Sequence, residues 1–319
     1  MSKGTLLVGE PMGLLIAQDY GEMESVEGWD LATCGAELNV AIGLARLEHQ
    51  VGYMTKLGND PFGKRIVNNM HDNKISTDLI KYVDDHFTGF MLKNKVADGD
   101  PKIFYFRKNS AASTLSGADI DELDAKDYDW IHATGITPAL TDSTREAVQH
   151  LVDKARSIGA TFSFDPNLRP QLWPSKEVMA NYINMMAAKA DYFLPGIKEC
   201  ETCIGISDPE QAAKAYLDLG CKCVIVKLGA KGAYYATKET SGYVEGFHID
   251  KIVDTVGAGD GFAAGVISAL KEGLSLPEAV RRGNAIGAIQ LTSKGDNDGL
   301  PTREELKLFM EGDPNWRKQ

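Results

Sequence analysis

Two periodicities alternate along this chain. Short apolar runs at residues 5–8, 51–57, 79–83, 130–133, 161–164, 192–194 and 223–228 read as strands. Between them lie segments whose apolar residues recur every three or four positions, as Val40, Ala41, Leu44 and Leu47 do after Gly35. Further helices are predicted over 64–73, 141–158, 175–189, 208–219, 277–291 and 302–310, and one begins just after Gly259, with Phe262, Val266, Ala269 and Leu270 on one face. Strand and helix in alternation predict an α/β fold, a doubly wound and mainly parallel sheet flanked by helices. The uninterrupted apolar run at 223–228 suits a strand buried on both faces of such a sheet.

Two regions break the alternation. Residues 12–17 and 31–34 are strand-like around a polar stretch, and 87–96 and 102–107 are strand-like with only the turn 98–101 between them. No helix separates the second pair, so it forms a hairpin. The pattern therefore predicts one domain over 1–319, with a small β-sheet lid built from two insertions at about 11–34 and 87–109. Residues 233–236 and 243–247 read as an antiparallel pair.

Of the 319 residues, 43% are hydrophobic and 25% charged, which is ordinary for a globular protein. The net charge of −11 without a basic block argues against nucleic acid or an anionic membrane as a partner. An anionic substrate must then be met by a local group of arginines. The N-terminal residues lack a signal-like apolar core and no apolar run has membrane-spanning length, so a cytoplasmic protein is expected. Cys200, Cys203, Cys221 and Cys223 have a spacing that invites zinc, but the first pair falls in a helical pattern and the second opens a buried strand; reduced structural thiols are the expectation.

The chemistry concentrates in Asp254-Thr255-Val256-Gly257-Ala258-Gly259-Asp260-Gly261-Phe262. An apolar run ends at Val253, and the stretch reads as strand, glycine-rich turn and helix, with Asp260 on the first helical turn. Glycines let the backbone approach a ligand, and the free N–H groups and dipole of a helix start favour an anion, most often phosphate. A carboxylate beside such a site has an obvious task, accepting the proton of a hydroxyl that attacks the phosphoryl group. The plainer alternative is an acidic helix cap. No Walker-A lysine follows the glycines. The stretch 259–264 fits the looser dinucleotide fingerprint, but no acid stands about twenty residues on, where Arg281-Arg282-Gly283-Asn284 is found.

With these motifs in place, the chain resembles the ribokinase-like (PfkB) carbohydrate kinases over nearly its whole length. The segment 254–265 resembles their C-terminal signature, and 34–41, 58–63 and 226–232 are similar to their other glycine-containing motifs in the same order. Within the family, 105–113, 135–140 and 165–169 are most similar to the kinases of 2-keto-3-deoxygluconate. The resemblance implies ATP-dependent phosphorylation of a sugar hydroxyl, with Mg2+ and, as is common in the wider family, a monovalent cation such as K+ near Asp254. It implies Asp260 as base and Gly257, Ala258 and Gly259 as the anion hole. Gly35, Asn39, Tyr105, Arg107 and Arg169 would bind the sugar acid. Lys227, Gly229, Ala230, Gly232 and Asn284 would face the nucleotide, and Glu199 the magnesium, through an element that keeps only the acid of the usual Asn-x-x-Glu. A homo-oligomer assembled through the lid is also implied. Two guanidiniums suit a carboxylate in a way lysine cannot reproduce. A fructokinase or ribokinase acting on a neutral sugar, and a non-catalytic sugar-binding regulator, remain the alternative readings.

Overall fold

The computed structural model describes residues 3–96 and 101–317. In chain order its strands are β1 (Gly4–Val8), β2 (Met12–Tyr20), β3 (Trp29–Cys34), β4 (Val51–Gly58), β5 (Ser76–Val83), β6 (Phe90–Lys95), β7 (Ile103–Phe106), β8 (Tyr128–Thr134), β9 (Thr161–Asp165), β10 (Tyr192–Phe193), β11 (Cys223–Lys227), β12 (Ala233–Ala236) and β13 (Ser241–Val244). Nine of them form one sheet in the order β13-β12-β11-β10-β9-β8-β1-β4-β5. Pairing is parallel from β5 across to β11 and antiparallel for β12 and β13.

Alternating side chains feed two apolar layers, one on each face. Leu6 joins Ile131 and Phe162 under the helices Asp142–Ile158, Lys176–Lys189 and Pro209–Leu219. Leu7 joins Tyr53 and Ile225 under Ala36–Arg46, Pro61–Asp72, Ala258–Lys271 and Leu276–Gln290. Each of these leucines is fully buried, worth roughly 2 kcal/mol. Local signals set the helix ends. The Asp60 side chain accepts the Gly63 N–H at 2.8 Å with Pro61 in the first turn, and Thr141 exchanges capping bonds with Thr144.

The remaining four strands make the separate small sheet, β3-β2-β6-β7. The β6–β7 pair is the expected antiparallel hairpin, while β2 and β6 run parallel. Most of the turn anticipated at 98–101 lies outside the described residues. Met12, Leu14, Cys34 and Met91 form the buried side of this lid, and Phe104 and Phe106 face outward, 55% and 45% exposed.

One element departs from the sequence pattern. No strand precedes the glycine turn; residues 245–257 are irregular. Ile252 and Val253 are exposed, and the Val253 N–H bonds the Leu291 carbonyl at 2.7 Å rather than a strand neighbour. The apolar run there is short, and the chain is crossing from the edge strand β13 toward the middle of the sheet. Among the described residues no helix is long and apolar enough to cross a membrane.

Candidate active site

In a parallel sheet the strand carboxyl ends open onto a common crevice. Here Glu10 follows β1, Asp165 ends β9 and Lys227 ends β11, and all three line one cavity of about 320 Å³. The lid closes it from above with Met91, Tyr105 and Arg107, and the glycine turn forms its floor.

The turn requires glycine at its first position. Gly257 caps the helix Ala258–Lys271 at φ +79, and a Cβ there would stand 2.2 Å from the Asp296 carbonyl oxygen. The first intrahelical bond of this helix is Gly261 N–H to Gly257 O at 2.8 Å. The N–H groups of Ala258, Gly259 and Asp260 therefore have no acceptor within the helix and sit at its positive end. Asp260 is buried beside them. Its Oδ2 accepts the Asn39 amide at 2.8 Å and its Oδ1 that of Asn167 at 3.3 Å. The Asn297 amide in turn donates to Asn39 Oδ1 at 3.1 Å, fixing its orientation.

Burial raises the Asp260 pKa to about 7; the Asn39 bond opposes the rise, nearby Asp165 adds to it, and Arg169 and Lys227 restrain it. A carboxyl poised near neutrality beside an anion site is suited to general-base work.

Tyr105 and Arg107 turn to the same side of the lid strand, but the two arginines are not equivalent. Arg107 is buried and donates from Nε to Glu10 Oε2 at 2.7 Å, and the other Glu10 oxygen accepts the Ser110 hydroxyl. Arg169 donates from Nη1 to the Leu168 carbonyl at 2.9 Å, and among the described residues no carboxylate pairs with it. Arg169 thus has no direct ion pair among the described residues, though its charge is felt by Asp260 and Asp296 in the same cavity, while Arg107 is paired with Glu10. Gly35 and Asn39 also line the cavity. Gly35 lies at φ +137, where a Cβ would meet the Glu10 carbonyl at 2.8 Å.

Next to the glycine turn, Lys227 Nζ pairs with Asp165 Oδ2 at 2.5 Å and lies near Gly259. Burial opposes the Lys227 charge, yet Asp165 and Glu199 outweigh it and raise the pKa. The Glu199 oxygens accept the backbone N–H groups of Gly196 and Leu168 at 2.7 and 2.9 Å, and burial raises its pKa against the pull of Lys227. The oxygens of Asp165 and Glu199 already accept protein donors, so they fit Mg2+ only as outer-shell partners reached through water.

The remaining residues expected to face the nucleotide lie apart. The turn Gly229–Lys231 follows β11 outside the cavity lining, with Gly229 at φ +62 and Gly232 at φ +94. The Asn284 amide donates to the Val244 and Glu245 carbonyls at 3.1 and 3.0 Å. Its donors tie a helix to the end of β13. Asp254 departs from the sequence reading. Its Oδ2 lies 2.6 Å from the Lys93 ammonium of β6, so the carboxylate expected to hold a monovalent cation already faces a cation of the chain itself.

Sequence reasoning passed over Glu10, Lys93 and Asp296. A charged residue within the apolar run Phe90-Met91-Leu92 onward was the available signal for Lys93, since a lysine buried in a strand needs a partner.

The model of the pfkB family carbohydrate kinases matches residues 5–303. The 2-dehydro-3-deoxygluconokinase of Bacillus subtilis (strain 168) is 45% identical over 311 residues, 97% of this chain and 96% of that protein. The solved PfkB protein from Polaromonas sp. JS666 is also 45% identical, with a TM-score of 0.88 over 96% of this chain and 99% of that one. A putative ribokinase II from E. coli, solved in complex with ATP and Mg2+, is 26% identical with a TM-score of 0.89, covering 97% and 99% of the two chains.

Proposed function

The chain belongs to the pfkB family of carbohydrate kinases, and from that premise we propose that it phosphorylates 2-keto-3-deoxygluconate with ATP to give 2-keto-3-deoxy-6-phosphogluconate. The observation that carries the sugar-acid reading is Arg169, an unpaired guanidinium in the same cavity as Asp260. A neutral sugar has no use for that charge, and a carboxylate meets it in a fixed fork. The 45% identical relative, a 2-dehydro-3-deoxygluconokinase, supports the same substrate.

In this reading the sugar hydroxyl lies against Asp260, which accepts its proton as the oxygen attacks the γ-phosphorus and the bond to the ADP oxygen breaks. The N–H groups of Ala258 and Gly259 and the Lys227 ammonium stabilise charge on the transferring phosphoryl group. Glu199 and Asp165 would meet Mg2+ through water, and the ion when bound neutralises charge on the phosphates. Gly35, Asn39 and Tyr105 orient the sugar, Arg169 takes its carboxylate, and Arg107, anchored by Glu10, binds a keto or hydroxyl oxygen. The turn of Gly229, Ala230 and Gly232 faces the nucleotide. Exposed Phe104 and Phe106 support assembly of two or more copies through the lid.

A coupled ADP-release assay over a panel of sugars and sugar acids tests the substrate. Turnover of fructose or ribose with none of the sugar acid would refute it. Arg169→Ala is expected to lower kcat/KM for the sugar acid by about 10²-fold, the scale of a lost charge-assisted bond, and for a poor neutral sugar by far less. Equal losses on both would remove the carboxylate role. Arg107→Ala is expected to lower the melting temperature as well, because it leaves Glu10 buried without its countercharge.

A further inference from the structure

The buried Lys93 side chain links the lid to the glycine turn. From β6 its ammonium reaches 2.6 Å to Asp254 Oδ2 and 3.8 Å to Asp296 Oδ1. Both carboxylates belong to the scaffold of the anion hole. The other Asp254 oxygen accepts the Val256 N–H at 3.1 Å, immediately before Gly257. The Asp296 carbonyl packs against the Gly257 Cα side so closely that a Cβ has no room. Gln290 braces the same region, donating to the Gly295 and Val256 carbonyls at 2.9 and 3.4 Å. The buried Asp296 and the half-buried Asp254, two carboxylates at the base of one turn, repel each other unless a positive charge stands between them. Burial raises the Asp296 pKa to about 6 even though Lys93 pulls it down, and its Oδ1 has no hydrogen-bond partner among the described residues.

We propose that Lys93 is a positioning residue that serves as a built-in cation, holding Asp254 and Asp296, and through them the anion-hole turn, in the position a bound monovalent ion would otherwise occupy. Two consequences follow. The enzyme does not depend on K+. The shape of the turn is tied to the lid, because the charge that sets it is carried on a lid strand. The inference rests on the kinase activity of the family and not on the identity of the sugar.

The test compares wild type, Lys93→Met and Lys93→Arg at constant ionic strength in choline, potassium and methylammonium chlorides. Wild type is expected to turn over equally in all three. Lys93→Met in choline should lose about 10²-fold in kcat, the scale of a displaced catalytic group, with a smaller change in the sugar KM. Potassium or methylammonium should restore part of that loss in a saturable way. Lys93→Arg should retain more activity than Lys93→Met in choline. A second readout needs no substrate: the melting temperature of Lys93→Met should rise with potassium or methylammonium, by mass action on the folded state, and that of wild type should not. If the sugar assignment fails, this melting comparison still stands. Strong activation of wild type by potassium would overturn the proposal, as would full activity of Lys93→Met in choline. An impaired Lys93→Met that no cation rescues, in rate or in melting temperature, would reduce Lys93 to a structural contact and also overturn it. If Lys93→Met does not fold, the potassium response of wild type and the activity of Lys93→Arg decide.

Discussion

Asp260→Asn is expected to reduce kcat by at least about 10³-fold while leaving sugar binding within a few-fold of wild type. The amide keeps the shape of the carboxylate but cannot accept the hydroxyl proton. Isothermal titration with the sugar acid and a steady-state assay separate the two effects. A variant that keeps a tenth of the wild-type rate would remove Asp260 from the role of base. The same residue sets the pH response. Burial is the main reason its pKa lies near 7. The base works only when ionised, so kcat/KM is expected to be low in acid, to rise through pH 7 and to level off above it. Weakening the Asn39 bond, which favours the charged form, should move this rise to higher pH, and Asn39→Ala measures that. A rise centred near the ordinary aspartate pKa in wild type would contradict the burial argument.

Gly257→Ala is the second large effect. At φ +79 a Cβ costs on the order of 1 kcal/mol in backbone strain, and this Cβ would stand 2.2 Å from a backbone oxygen, where no flexible side chain can yield. The turn must move, and with it the N–H groups of Ala258 and Gly259. Loss of a preorganised donor costs about 10²–10³ in kcat, so a fall of that size together with a lower melting temperature is expected. Gly259→Ala is the control. Its Cβ would meet only the Lys227 ammonium, at 3.6 Å, so its melting temperature should stay near wild type. If the two alanine variants lose stability and rate alike, the argument from Gly257 geometry fails.

Much of the architecture was legible along the chain because its signals are local. The runs that became β1, β4, β8, β9 and β11 are apolar for most of their length and buried over most of it, as suits strands covered on both faces. Thr141-Asp142 stands where the cap of its predicted helix forms, while the helix predicted from 64 begins three residues earlier, at Pro61 behind the Asp60 cap. The hairpin of β6 and β7 was evident from the missing helix between two strand-like runs. The strand assigned before the glycine turn was an error of the same local method. Two apolar residues, Ile252 and Val253, resemble the end of a strand, but whether a strand forms depends on a neighbour to pair with.

The site was legible by kind and less so by partner. Glycine spacing at 257–261 and the acid at 260 are covalent facts of the sequence, and a helix start with glycines attracts an anion wherever it lies. The sequence by itself therefore determined the fold class, the helix start suited to an anion and the acid beside it. Only the tertiary structure decided what each charge faces. Glu10 lies 97 residues from Arg107, Asn39 lies 221 residues from Asp260, and Lys93 lies 161 residues from Asp254. Those meetings give Arg107 a countercharge, restrain the rise that burial imposes on the Asp260 pKa, and place an ammonium where an ion was expected. Burial and charge pairing act through space over a few ångströms, so their outcome is set when the strand ends and the lid converge.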